Sequence, residues 1–71
     1  MLSRTERNSI NAAKSYIYDG YHLAQYYSIK TPLQWVYILR HPNDNEIKVI
    51  GDETDKKVYI YLNNKLNKTI E

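Results

Sequence analysis

Residues Thr31 to His41, TPLQWVYILRH, decide how this chain folds, because they satisfy two patterns at once. Read as a helix, Thr31 is a cap and Pro32 takes the first helical position, where its missing N–H costs nothing. Pro32, Trp35, Val36 and Leu39 then fall on one side, and Lys30, Gln34, Tyr37, Arg40 and His41 on the other. Read as a strand, Trp35, Tyr37 and Leu39 alternate with Val36, Ile38 and Arg40, and the β-branched and aromatic content favours this. The helical reading separates polar from apolar side chains and the strand reading does not, so the pattern predicts a helix over 32–41.

Upstream, Ser3-Arg4-Thr5-Glu6 fits a capping box, with a helix beginning at Arg4. Ile10, Ala13 and Ile17 recur at helical spacing beside Ala12 and Tyr16, a stripe wide enough to face a core. Tyr16 to Tyr18 is then the last turn, and Gly20 stands where a left-handed residue is wanted. Asp19-Gly20 is also a hairpin signal. A hairpin there would abandon a capped segment of about 14 residues, roughly the length at which a helix is worth nucleating. Leu23, Ala24 and Tyr27 continue at i, i+1 and i+4, which predicts a second, short helix.

Downstream, HPNDNE is a loop by composition. Ile47 to Gly51 and Lys57 to Asn63 are predicted to pair as a hairpin. Ile47 and Val49 share one face, as do Val58, Ile60 and Leu62. Tyr59 and Tyr61 share the opposite face with Lys48 and Ile50. Asn64 to Glu71 reads as a helical or frayed tail of a single domain spanning 1–71.

The order helix, short helix, helix opened by Thr-Pro, then hairpin resembles the winged helix-turn-helix family of DNA-binding domains, over about residues 4 to 63. LAQYYSIKTPLQWVYILR looks like its helix-turn-helix core, with Ala24 at the helix crossing and Ile29 in the turn. KKVYIYLNN is similar to the returning wing strand. The resemblance implies a mainly α fold of three helices with a two-stranded wing, and a third helix lying in the major groove of duplex DNA. Lys30 and Arg40 would then neutralise phosphate or pair with guanine, and Gln34 would bridge an adenine edge. Tyr37 would bond phosphate or pack on sugar, Thr31 and His41 would flank the contact, and Lys56 and Lys57 on the wing would meet the backbone. The presumed wing tip also carries Asp52, Glu53 and Asp55, a poor composition for gripping phosphate.

Composition bounds the alternatives. Seventy-one residues make one small domain that buries only roughly 60% of the surface its unfolded chain exposes, which makes a homodimer plausible. The absence of cysteine removes disulfides and thiolate metal sites. The two histidines, His22 and His41, lack a second ligand at metal spacing, so no metal or cofactor is expected. No apolar segment is long enough to cross a bilayer, and the reading is an intracellular, cytoplasmic protein without a membrane partner. Asn, Ile, Lys and Tyr supply 30 of the 71 residues. Their A/T-rich codons suggest a phage, plasmid, virus or low-GC bacterium, and so discount the tyrosine count as a functional signal. No nucleophile has a base at motif spacing, and two glycines cannot make a phosphate loop, which argues against an enzyme. Two functions stand: a duplex-DNA-binding regulator or accessory factor, or a protein-binding module. The second goes with an α+β fold, the N-terminal helix on a three-stranded meander of Trp35 to Arg40, Ile47 to Gly51 and Val58 to Asn63, with an aromatic sheet face as contact surface.

Overall fold

The computed structural model describes residues 2–71. Among them the chain forms α1 (Arg4–Tyr18), β1 (His22–Lys30), β2 (Leu33–Arg40), β3 (Glu46–Asp52), β4 (Lys57–Leu62) and β5 (Lys65–Ile70). The five strands make one antiparallel meander in the order β1-β2-β3-β4-β5, and α1 lies across one face of it, mainly over β3 and β2. The architecture is α+β with one helix. The mainly α winged arrangement of three helices is therefore overturned: the segments expected as its second and third helices are β1 and β2.

The beginning of α1 follows its sequence signal. Ser3 caps the helix, its hydroxyl accepting from the Glu6 N–H at 3.0 Å. Gly20 sits just past the end at φ +101°, a left-handed conformation, and the chain turns there into β1 instead of a second helix. The buried stripe is rotated from the one expected. Thr5, Ser9, Ala12 and Ala13 face the sheet, while Ile17 is 45% exposed. Small residues are required here because α1 approaches β3 closely at Gly51. A Cβ on Gly51 would lie 1.9 Å from Ser9 Oγ, so only glycine lets the helix seat.

Beneath α1 the core is Leu39 from β2, Ile47 and Val49 from β3, and Val58 and Ile60 from β4, each at most 2% exposed. Leu39 pairs with Ile47, Tyr37 with Val49, and Trp35 with Gly51, which puts Trp35, Tyr37 and Leu39 on the helix side. The central hairpin of the sheet, β3 and β4, has the residues and faces that alternation predicts.

The two stretches whose spacing predicts helices are strands for distinct reasons. β2 is an inner strand buried on both sides: Trp35 and Leu39 lie beneath α1, and Val36 on the other face is only 2% exposed. Such a strand reads as a continuous apolar run, so its failure to separate polar from apolar residues does not argue against it. β1 is an edge strand exposed throughout, with Leu23, Tyr26, Tyr27 and Ile29 spread over both faces, and their spacing imitates a short amphipathic helix. Thr31-Pro32 is the tight connection between them, closed by the Lys30–Leu33 pair, and not a helix start.

The segment expected as a helical or frayed tail is β5. Asn63 and Asn64 make the turn into it at φ +50° and +70°, and Leu62 pairs with Lys65. A two-residue hairpin turn with both central residues at positive φ is the type I′ geometry that asparagine tolerates.

Candidate interaction surface

The expected recognition face does not exist as a face, because a strand sends alternate side chains to opposite sides of the sheet. Gln34 and Arg40 point away from α1, whereas Tyr37 lies on the helix side with its ring 4.7 Å from that of Tyr26. Burial, with the neighbouring Tyr26 and Glu6 adding to it, raises the Tyr37 pKa above the ordinary tyrosine value. The two outward groups are engaged by acids. The Gln34 amide donates to Asp52 Oδ2 at 2.9 Å, and Arg40 Nε lies 3.3 Å from Glu46 Oε2.

The other expected contact residues are dispersed. Lys30 ends β1 and Thr31 stands in the turn after it, both exposed. His41 follows β2 and packs against Tyr21, ring centroids 4.9 Å apart, above Gly20. Lys56 occupies the β3–β4 turn at φ +57° and bonds Glu53 at 2.8 Å. Lys57 opens β4, with its ammonium 3.9 Å from Glu71.

The turn between β3 and β4 is acidic in its chemistry. Asp52 is held below the ordinary carboxylate range, first by the Gln34 amide and further by the backbone N–H groups of Asp55 and Thr54. Glu53 is likewise lowered, chiefly by Lys56 and then by Ser3. Tyr59 donates its hydroxyl to Asp55 at 2.9 Å, which raises its pKa. The Asp52 and Glu53 carboxylates therefore remain ionised at neutral pH and repel phosphate.

On the sheet face opposite α1 the strand register assembles a surface that no single segment reveals. One row across the sheet runs Tyr27, Val36, Ile50, Tyr59, Thr69, and the next runs Gln25, Ile38, Lys48, Tyr61, Leu66. No element among the described residues packs on this side, as α1 is the single helix and lies on the other. Tyr27 is 39% and Leu66 56% exposed; Ile38, Ile50, Tyr59 and Tyr61 are half-buried among their neighbours. Lys48 stands within this patch and makes no ion pair among the described residues. Five strands spaced about 4.8 Å and some six residues long give a face of roughly 400 Å² in projection. The apolar residues of the two rows occupy part of that face within a polar rim, an arrangement that commonly marks an interaction site.

The sequence had placed Tyr59, Tyr61, Lys48 and Ile50 together. It missed Tyr27, Val36, Ile38 and Leu66, which reach the face only because 22–40 and 65–70 are strands. The Asn63-Asn64 pair, at positive φ, is the sequence signal for β5 and through it for Leu66. Compared with protein-family models, curated proteins and solved structures, the chain gives no match. No helix among the described residues is long and apolar enough to cross a membrane.

Proposed function

We propose that this protein is a small protein-binding module whose contact surface is the sheet face opposite α1. The observation that carries the reading is the cross-strand patch of Tyr27, Ile38, Ile50, Tyr59, Tyr61 and Leu66, set around the buried Val36 and left without a covering element because the helix occupies the other side. Lys48 inside the patch specifies the partner further: a folded protein with an apolar surface that presents a carboxylate to this ammonium. Tyrosines suit such a face, since they combine large contact area with a hydroxyl that keeps the free surface wetted.

Duplex-DNA binding is the rival, and it has less support. Its base-reading side chains Gln34 and Arg40 are engaged by Asp52 and Glu46, Tyr37 lies on the opposite face, and the β3–β4 turn presents carboxylates. Stacking of single-stranded bases on Tyr59 and Tyr61 also has less support, because the Asp55 and Asp52 carboxylates beside Tyr59 repel the phosphates that would accompany the bases.

The test has two arms. Purified protein is titrated into labelled duplex and single-stranded DNA at low salt, where phosphate contacts are strongest. In cells, a photo-reactive residue at Tyr61 is compared with one at Ser15 on the exposed side of α1, and the trapped partner is purified and titrated against wild type, Tyr61→Lys and Lys48→Glu. The expected results are no salt-dependent DNA binding, trapping from position 61 alone, and a loss of about thirtyfold or more in affinity for each variant. Duplex binding that disappears when Gln34 and Arg40 are replaced by alanine, or equal trapping from both positions, would refute the reading.

A further inference from the structure

We infer that β1 is a self-association edge, along which two copies of this chain pair antiparallel to form one continuous ten-stranded sheet. The two edges of the sheet differ in kind. β5 carries Lys65 and Lys68 and has an irregularity beside Ile60–Tyr61, features that discourage another strand from adding. β1 is the longest strand, with no charge from Leu23 to Ile29, no proline, and four large hydrophobics between 36% and 47% exposed. Its backbone groups on the side away from β2 face no other strand, since β1 pairs with β2 alone. A long, uncharged, apolar edge is a template for another strand.

The occupant is argued from charge and register. A strand without internal charge meets no like-charge opposition from its own copy, and a two-fold axis perpendicular to the sheet keeps both helices on one side. β1 has a bulge between Leu23 and Gln25, so residues before and after it do not keep a single alternation of faces. A two-fold at Tyr26 would run the pairing through the bulge and set Leu23, which lies on the helix side opposite Leu39, against Ile29, which points outward opposite Gln34. A two-fold at Tyr27 uses the regular segment: Gln25 of one copy faces Ile29 of the other, Tyr26 faces Ser28, Ala24 faces Lys30, and the two Tyr27 side chains meet on the axis. The two Lys30 side chains then stand at opposite ends of the junction.

The pairing itself does not rest on the reading of the outer face. Its consequence does: Gln25, Tyr27 and Ile29 are outward residues, so the junction joins the two outer faces into one continuous surface of about twice the extent.

The absence of cysteine gives a direct test. Tyr27→Cys places two thiols across the axis, at the cross-strand separation that a disulfide spans. Under mild oxidation it should cross-link to a covalent dimer rapidly, while Thr69→Cys on the opposite edge should not. Sedimentation of wild type at high micromolar concentration should show dimer, and Ser28→Lys, exposed on the helix side of the edge, should weaken association by about tenfold or more. Tyr61→Lys, which disables the outer face, should leave the dimer intact, and circular dichroism checks that each variant is folded. Wild type that stays monomeric, or equal cross-linking from positions 27 and 69, overturns the inference. So does a dimer lost in Tyr61→Lys but kept in Ser28→Lys, which would place the contact face to face.

Discussion

Replacing Gly51 by alanine tests the feature that decides which sheet face is covered. The backbone at Gly51 is not in the left-handed region, so the whole effect comes from the added methyl. That methyl would stand 1.9 Å from Ser9 Oγ, about 1.6 Å short of a comfortable contact of ~3.5 Å. Ser9 is completely buried and its hydroxyl donates to the Thr5 carbonyl at 2.9 Å. Swinging that hydroxyl aside leaves a buried polar group unpaired, at about 1–3 kcal/mol, and lifting α1 off the sheet loosens its packing over Leu39 and Val49 at a similar cost. Gly51→Ala should therefore destabilise by about 3 kcal/mol, a large part of the roughly 4–11 kcal/mol available to a chain of this length. Thermal unfolding followed by circular dichroism should show a fall of about 10–25 °C.

A double-mutant cycle isolates the cause. Ser9→Ala alone should cost about 1 kcal/mol for its hydrogen bond. It removes the clashing oxygen and leaves Ser9 Cβ at 3.1 Å and Trp35 Cε3 at 3.3 Å from the new methyl, separations that a shift of a few tenths of an ångström relieves. In the Ser9→Ala background, Gly51→Ala should thus cost only about 1 kcal/mol, a coupling of about 2 kcal/mol. A neutral Gly51→Ala, or the same penalty in both backgrounds, would refute this account of how α1 seats.

Gly20→Ala should destabilise by about 1–2 kcal/mol, since φ of +101° penalises a side chain and the new methyl would meet His41 Nε2 at 3.1 Å; unchanged urea denaturation would contradict this. Leu39→Ala, at the centre of the core, should cost about 3 kcal/mol or more and should leave too little stability for a sharp thermal transition. Asn64→Val should cost about 1–2 kcal/mol because a β-branched residue resists φ of +70°, while Asn64→Gly should be neutral or stabilising, both read from thermal midpoints. The Asp52 carboxyl is lowered by Gln34 in the folded state, so its contribution is present above the ordinary carboxylate range and is lost as pH falls through the folded value. Wild type should accordingly exceed Asp52→Asn in stability at pH 7, and the gap should close as pH falls through the folded value; a gap that widens in acid would reverse the assignment.

The features legible in the chain alone are local ones. The Ser3 cap, the end of α1 at Gly20 and the β3–β4 hairpin were legible because each depends on neighbours a few residues apart: a hydroxyl and an N–H three positions on, a glycine at positive φ, an alternation that sorts Ile47 and Val49 from Lys48 and Ile50. Half of the candidate contact face could be read in the same way, from Tyr59 and Tyr61. The state of 22–40 was decided by tertiary structure. Trp35, Val36 and Leu39 can form an apolar helical stripe or a strand buried on both faces, and the apolar pattern is the same for both. The choice falls to the partners: β3 supplies a matching edge to Leu33–Arg40, and α1, seated through Ser9 on Gly51, covers one side of it. Once β2 is an inner strand, His22–Lys30 pairs on its far side and becomes the exposed edge, and Tyr27, Val36 and Ile38 join the tyrosines of β4 on one face. Cross-strand neighbours dozens of residues apart create that surface, and no window of the sequence contains it.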